Sequence, residues 1–118
     1  MNTEIIEKML EANNRLKKAM SMLKKSRYLS ELETTKELFL YFNEHYSCLE
    51  VVVRDNYEKM VESLRMLRGD NIYLEFDTSW DCGDEYYFRY GKRTSAVQLV
   101  YSCKSDDVPE QMIRYKGK

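Results

Sequence analysis

The stretch of sequence that decides the predicted fold is residues 30–69, SELETTKELFLYFNEHYSCLEVVVRDNYEKMVESLRMLRG. It opens with a Ser-x-x-Glu capping box, Ser30 to Glu33, in which the hydroxyl and the carboxylate satisfy backbone N–H groups at a helix start. Gly69 is placed to end the helix in the left-handed conformation. Between them, apolar residues recur at the three- or four-residue spacing of one helical face: Leu38, Phe42, Tyr46, Leu49, Val53, Tyr57, Met60, Leu64 and Leu67. The spacing predicts a continuous helix over residues 30–67.

One part of this stretch also fits a strand. Val51-Val52-Val53 is a run of β-branched residues, which lose rotamer freedom in a helix and are enriched in strands. We interpret it as helix because the helical spacing continues on both sides of it.

A shorter helix is predicted from Thr3 to about Arg27, where apolar residues mostly recur three or four positions apart. The two helices predict an antiparallel helical hairpin over residues 1–69. A helix of residues 30–67 would be about 57 Å long, whereas a compact globule of this chain length is only about 35 Å across. The long helix must therefore break near Asn43, or project beyond its own core with its apolar face covered by another chain.

From Asp70 onward, apolar and polar residues alternate, which is the period of a strand. The alternation predicts three strands near residues 72–76, 86–90 and 97–101, with a loop at 77–84 and a shorter connection at 91–94. We expect an antiparallel β-meander over residues 70–104 and a tail or short helix over 105–118. The predicted fold class is α+β: a single domain of residues 1–118 in which a long antiparallel helical hairpin packs on a three-stranded antiparallel β-meander.

The composition indicates a globular protein without an extreme charge. The 118 residues include 19 Lys and Arg against 20 Asp and Glu, a balance that argues against a general nucleic-acid binder. No apolar run reaches the length of a membrane span, and the first residues lack the layout of a secretory signal. The odd number of cysteines, three, suits a reducing compartment. We therefore expect a soluble, cytoplasmic protein.

The residues that usually carry catalysis are scarce. His45 is the only histidine, and Cys82 lies between Asp81 and Asp84, whose carboxylates disfavour a thiolate. A structural zinc site would need His45, Cys48, Cys82 and Cys103 to converge, but Cys82 and Cys103 stand alone in the sequence rather than in a Cys-x-x-Cys pair. We predict no catalytic residue, no metal and no cofactor.

Tyrosine is the compositional anomaly, with ten residues in the chain. Tyrosine and tryptophan supply large, rigid contact areas and are enriched at protein interfaces. We predict that Tyr73, Tyr87 and Arg89, on the outer face of the predicted sheet, contact a protein partner together with Trp80 in the acidic loop. Beside the main stripe of the long helix, Tyr41 and Val52 are predicted to mediate self-association.

These features predict a non-catalytic protein-binding regulator or inhibitor that forms a homodimer through its long helices. A virus-encoded modulator of a host enzyme is one protein with this profile. One alternative is a small-ligand-binding protein or enzyme with a site around the acidic 77–85 loop. A second is single-stranded nucleic-acid binding through the basic turn at 89–93, which the six carboxylates of residues 70–88 oppose.

Overall fold

A five-stranded mixed sheet forms the centre of the fold in the computed structural model, which describes residues 14–25, 38–43, 45, 48–92 and 94–118. The strand order is β1-β2-β5-β4-β3, with β2 and β5 parallel and every other neighbouring pair antiparallel. In chain order the elements are α1 (Asn14–Lys25), β1 (Leu38–Asn43), β2 (Cys48–Arg54), α2 (Tyr57–Gly69), β3 (Phe76–Cys82), β4 (Glu85–Tyr90), β5 (Val97–Lys104) and a C-terminal 3-10 helix (Glu110–Tyr115).

The prediction of a continuous helix over residues 30–67 is wrong, because residues 38–54 form the hairpin of β1 and β2. In this hairpin Leu38 lies opposite Val53 and Leu40 lies opposite Val51. Aromatic and β-branched residues fit a pleated, half-buried surface better than a helix. The strand interpretation of Val51-Val52-Val53 is the correct one, despite the helical spacing on either side.

The chain turns from β2 into α2 at Asp55 and Asn56. Asp55 has a φ of 51°, a left-handed conformation that stops β2 from continuing. Asn56 caps α2, its side-chain oxygen accepting a hydrogen bond from the backbone N–H of Lys59 at 3.0 Å. The only helix that the described residues contain between 30 and 69 is therefore α2, and the helical hairpin over 1–69 is wrong.

The end of the second predicted helix also differs from expectation. Gly69 is the last residue of α2, and the left-handed conformation belongs to Asn71, with a φ of 66°. Within the first predicted helix, α1 is the described part, and it buries Ala19, Met20 and Leu23. The capping box at Ser30 and residues 1–13 lie outside the described residues.

The three-stranded antiparallel meander is also wrong, since the sheet has five strands and a parallel pair inside it. Strands β4 and β5 occupy two of the segments predicted as strands. The remaining predicted segment is irregular up to residue 75, and its alternation arises because Ile72 and Leu74 are buried in the core. Strand β3 instead occupies the predicted loop at 77–84, and the turn to β4 places Gly83 at a φ of 63°.

One face of the sheet packs into a single apolar core with the helices. Strand β5 is buried along nearly its whole length, between β2 and β4. The C-terminal 3-10 helix contributes the buried Met112, and its Tyr115 ring packs on Phe76 with centroids 4.4 Å apart. The backbone N–H of Gly117 donates to the Tyr86 hydroxyl at 2.7 Å, which fixes the C-terminal segment on the sheet. None of the helices in the described residues is both long and apolar enough for a membrane crossing.

Candidate functional site

Most of the residues predicted to make contacts lie on the sheet face opposite the apolar core. Side chains alternate between the two faces along each strand, and directly paired residues share a face. Tyr73 is the exception: it lies on the connection from α2 to β3 and is 78% exposed. The strand registers place the following residues on this face, called the second face: Phe39, Tyr41, Glu50, Val52, Thr78, Trp80, Tyr87, Arg89, Gln98, Val100 and Ser102.

An exposed aromatic patch lies at the β1 end of the second face. Phe39 is 43% exposed and Tyr41 is 56% exposed. Leu40 lies between them in the sequence and Leu38 precedes them, and both leucines point into the core. Val52 lies opposite Phe39 on β2 and is half-buried. The Arg54 guanidinium lies 5.2 Å from the centre of the Phe39 ring. Phe39, Tyr41 and Val52 are called the β1 patch.

A second aromatic group lies at the other end of the same face. Trp80 on β3 is directly opposite Tyr87 on β4, and their rings stack with centroids 5.3 Å apart and an angle of 17° between the planes. The Arg89 guanidinium lies 5.2 Å from the centre of the Trp80 ring. Trp80 and Tyr87 are half-buried, and are called the Trp80–Tyr87 platform. Four strand spacings, about 19 Å, separate Trp80 on β3 from the rings on β1, and two spacings, about 10 Å, separate Tyr87 on β4 from Val52 on β2.

A buried ion pair lies between the patch and the platform. Nη2 of Arg89 is 2.9 Å from Oε2 of Glu50, and the two residues are 7% and 5% exposed. The pair bridges β2 and β4 across the intervening β5. Asn43 donates to the same carboxylate oxygen at 2.7 Å, and Arg89 donates to the side-chain oxygen of Gln98 at 3.2 Å. The Arg89 guanidinium is thus engaged within the sheet.

The basic turn and the acidic loop, on which the two alternative functions rest, do not present their charges as a gathered group in the described residues. Arg89 is buried in the ion pair, Lys92 is exposed and Arg93 lies outside the described residues. Asp77, Asp81, Asp84 and Glu85 are exposed along the β3–β4 hairpin rather than gathered in a cavity. The geometry adds no support to either alternative.

The four residues considered for zinc are distributed over different parts of the fold. His45 lies in the turn between β1 and β2, Cys48 begins β2, Cys82 ends β3 and Cys103 lies in β5. In the described part of the chain, no three His, Cys, Asp or Glu side chains converge as metal ligands.

Two titratable groups on the core face are held in their neutral forms. Burial, reinforced by the nearby Asp55 and Asp107 carboxylates, raises the pKa of Cys103 from 9.0 to about 11. Burial likewise raises the pKa of Tyr101, and Cys103 adds to that effect. A thiol that stays protonated at neutral pH is a poor nucleophile, so Cys103 is suited to packing rather than to covalent chemistry.

Glu50 and Gln98 are the residues that sequence reasoning missed. Glu50 lies between Leu49 and three valines. If this segment is interpreted as a strand, Glu50 is a charge on an otherwise apolar strand. Such a charge requires a partner when it is buried, and Arg89 is that partner.

The chain matches no known family model, no curated protein and no solved structure. Its function is therefore inferred from the geometry of its own residues.

Proposed function

We propose that this protein is a non-catalytic regulator or inhibitor that binds another protein through the second face of its sheet. The observation that carries the proposal is the clustering of solvent-accessible aromatic residues on that face. Phe39 and Tyr41 are exposed at one end, and the half-buried Trp80 and Tyr87 are stacked at the other. Tryptophan and tyrosine dominate the energetics of protein interfaces because they bury a large area and lose little conformational entropy.

The β1 patch is the proposed site of self-association, and its partner is a second copy of the chain. This replaces the long helices as the dimer contact and keeps Tyr41 and Val52 as its residues. In a two-fold dimer the same patch faces itself, so the exposed rings of Phe39 and Tyr41 cover their counterparts on the other copy. A dimer of this kind leaves Trp80, on β3 and about 19 Å from β1, accessible.

The Trp80–Tyr87 platform is the proposed contact for the regulated protein. Arg89 is a positioning residue in this proposal, because its buried guanidinium supports the Trp80 ring. The ion pair of Arg89 with Glu50 fixes β4 relative to β2, and so holds the platform at a constant distance from the β1 patch. Tyr73 remains a predicted contact outside this face, and a viral origin with a host enzyme as target remains a prediction.

Affinity capture with matched variants tests the proposal. Wild-type protein, Tyr87→Ser and Ile113→Ser are immobilised and exposed to an extract of the native source, and recovered proteins are quantified by mass spectrometry. Ile113 is the control because it is exposed and lies on the C-terminal 3-10 helix, away from the second face. We expect one protein to be recovered equally by wild type and Ile113→Ser, and at least about tenfold less by Tyr87→Ser.

The recovered protein must then bind the purified chain in a defined stoichiometry, with the same loss of affinity in Tyr87→Ser. Circular dichroism spectra of the variants establish that they are folded. Equal recovery by all three proteins, or no recovery above that of the bare matrix, would contradict the proposal.

A further inference from the structure

A cleft of about 650 Å³ lies between α2 and the C-terminal 3-10 helix, in a part of the molecule that the proposed function does not use. Helix α2 provides Arg65 and Arg68, and the C-terminal segment provides Arg114 and Tyr115. Tyr90, from the end of β4, reaches the cleft from the sheet. The volume is within the range of about 300–1,000 Å³ that is typical of small-ligand sites.

The walls of the cleft carry an excess of positive charge. Among the described residues that line it, Glu110 is the one carboxylate beside three arginines. No ion pair within the described residues involves any of these arginines. Arg68 donates from Nε and Nη2 to the carbonyl of Leu74, which leaves its Nη1 donors for another acceptor.

Arg114, on the other wall of the cleft, is also ordered by local contacts. Arg114 donates to the Tyr115 hydroxyl at 2.8 Å, and its guanidinium lies 4.7 Å from the centre of the Tyr115 ring. Guanidinium groups held in this way lose less conformational entropy when they bind an anion.

The floor of the cleft is apolar. Met60 and Met112 are almost fully buried beneath it, and Leu64 lies beside them. The Tyr90 hydroxyl is 3.7 Å from the sulfur of Met112. Burial is the main cause that raises the pKa of Tyr90 to about 12, against a smaller opposing effect of Arg68 and Arg114. The one proton of the Tyr90 hydroxyl is donated to the Met112 sulfur, so Tyr90 belongs to the floor of the cleft rather than to its anion-binding wall.

We propose that this cleft binds a small organic phosphate. The phosphate group is held by Arg65, Arg68 and Arg114, since guanidinium donors match the geometry of phosphate oxygens in a bidentate manner. The apolar or aromatic body of the ligand packs on the floor formed by Met60, Leu64 and Met112. This combination selects a phosphate ester over inorganic phosphate, which cannot use the floor, and over an uncharged ring, which cannot use the arginines.

Methionine-methyl NMR of the full chain tests the proposal with three probes: phenyl phosphate, inorganic phosphate and phenol. We expect phenyl phosphate to shift the methyl signals of Met60 and Met112. The methyl signal of Met20, which is buried on α1 and does not line the cleft, is expected to stay in place. We expect phenyl phosphate to bind at least about tenfold more tightly than either of the other probes, since each of them makes only part of the contacts.

Arginine variants locate the phosphate group. Arg65→Gln and Arg114→Gln are each expected to weaken phenyl phosphate binding about tenfold, the value of one charge-assisted hydrogen bond. Arg54→Gln is the control, because Arg54 is exposed at the end of β2 and does not line the cleft. An unchanged Met20 signal establishes that each variant is folded.

Three outcomes would overturn the proposal: no shift of Met60 or Met112 with phenyl phosphate, equal affinity for phenyl phosphate and inorganic phosphate, or equal weakening by Arg54→Gln. None of these outcomes bears on the second face, so the ligand site and the protein-binding proposal can fail separately.

Discussion

The middle of the second face is buried about as deeply as the core face, but in a different chemical environment. Leu49 and Glu50 are neighbours on β2, and they are 0% and 5% exposed. Leu49 lies in the apolar core, where burial itself stabilises the fold. Glu50 lies on the second face, where it is paired with Arg89 and hydrogen-bonded to Asn43. Burial of Glu50 is therefore tolerated only because its partners are in place.

This difference separates stability from positioning. An apolar pair of similar volume could replace Glu50 and Arg89 with little loss of stability, because the desolvation of two charges offsets most of their attraction. The ion pair instead links β2 to β4 between the β1 patch and the Trp80–Tyr87 platform. We interpret the core face as the source of stability and the second face as a frame for contacts.

The largest expected effect is that of Glu50→Ala, which leaves the Arg89 guanidinium buried without its carboxylate. We expect the free energy of unfolding to fall by about 3–5 kcal/mol. Chemical denaturation followed by circular dichroism measures the change. Glu62→Ala is the control, since Glu62 pairs with Lys59 at 3.3 Å on the partly exposed side of α2, and we expect its cost to be at most about 1 kcal/mol.

A double variant distinguishes loss of a pair from loss of packing. Glu50→Leu combined with Arg89→Met removes both charges, and we expect it to recover most of the stability lost in Glu50→Ala. If the double variant is as unstable as Glu50→Ala, the pair is not the reason for the loss, and the comparison between the faces fails.

The counterpart on the core face is Leu49→Ala. We expect it to lower the free energy of unfolding by about 2–5 kcal/mol, because apolar burial is lost and a cavity remains. No change on the second face should compensate for it, since the Leu49 side chain lies in the apolar core, on the face opposite the ion pair. We therefore expect the coupling between Leu49→Ala and the Glu50→Leu and Arg89→Met pair to be at most about 1 kcal/mol in the same denaturation assay, although Leu49 and Glu50 are adjacent in the chain. A strong coupling would show that the two faces are not independent.

A smaller, pH-dependent effect is expected from the core face. The Cys103 thiol of the folded chain keeps its proton until about pH 11, whereas the ordinary pKa is 9.0. Between these values the unfolded state binds fewer protons, so the free energy of unfolding falls as pH rises. Cys103→Ala removes this contribution, so its free energy of unfolding should fall less steeply with pH than that of wild type. Cys82→Ala, which removes an exposed thiol, should leave the slope unchanged. Equal slopes in wild type and Cys103→Ala would contradict this assignment.

Part of the fold is readable from the sequence because it depends on local periodicity. The alternation in Tyr86-Tyr87-Phe88 and in Val97-Gln98-Leu99 corresponds to β4 and β5. Residues 38–54 mislead because Leu38 and Phe42 lie four positions apart, a spacing that puts them on the same face of either a helix or a strand. The local signal that one element ends and a helix begins is Asp55-Asn56, since Asn is a favoured helix cap. Pairing of β2 with β5 depends on contacts distant in sequence, which local patterns do not encode.

The candidate site was predictable by residue type but not by location. The abundance of tyrosine predicts contacts, and Tyr41, Trp80 and Tyr87 lie on one sheet face although their sequence patterns predict a helix, a loop and a strand. The tight turn at Gly83 sets the register that places Trp80 opposite Tyr87. The Glu50–Arg89 pair was not predicted, because it requires β5 to lie between β2 and β4.

The most direct test of the account is sedimentation equilibrium of wild type and of the double variant Phe39→Ser with Tyr41→Ser. Both residues are exposed, so we expect the double variant to lose at most about 1 kcal/mol of stability. We predict a concentration-dependent dimer for wild type and for Ile113→Ser, and a monomer for the double variant. A wild-type chain that remains monomeric up to about 1 mM, or a double variant that dimerises as wild type does, would contradict the claim that the second face is a contact surface.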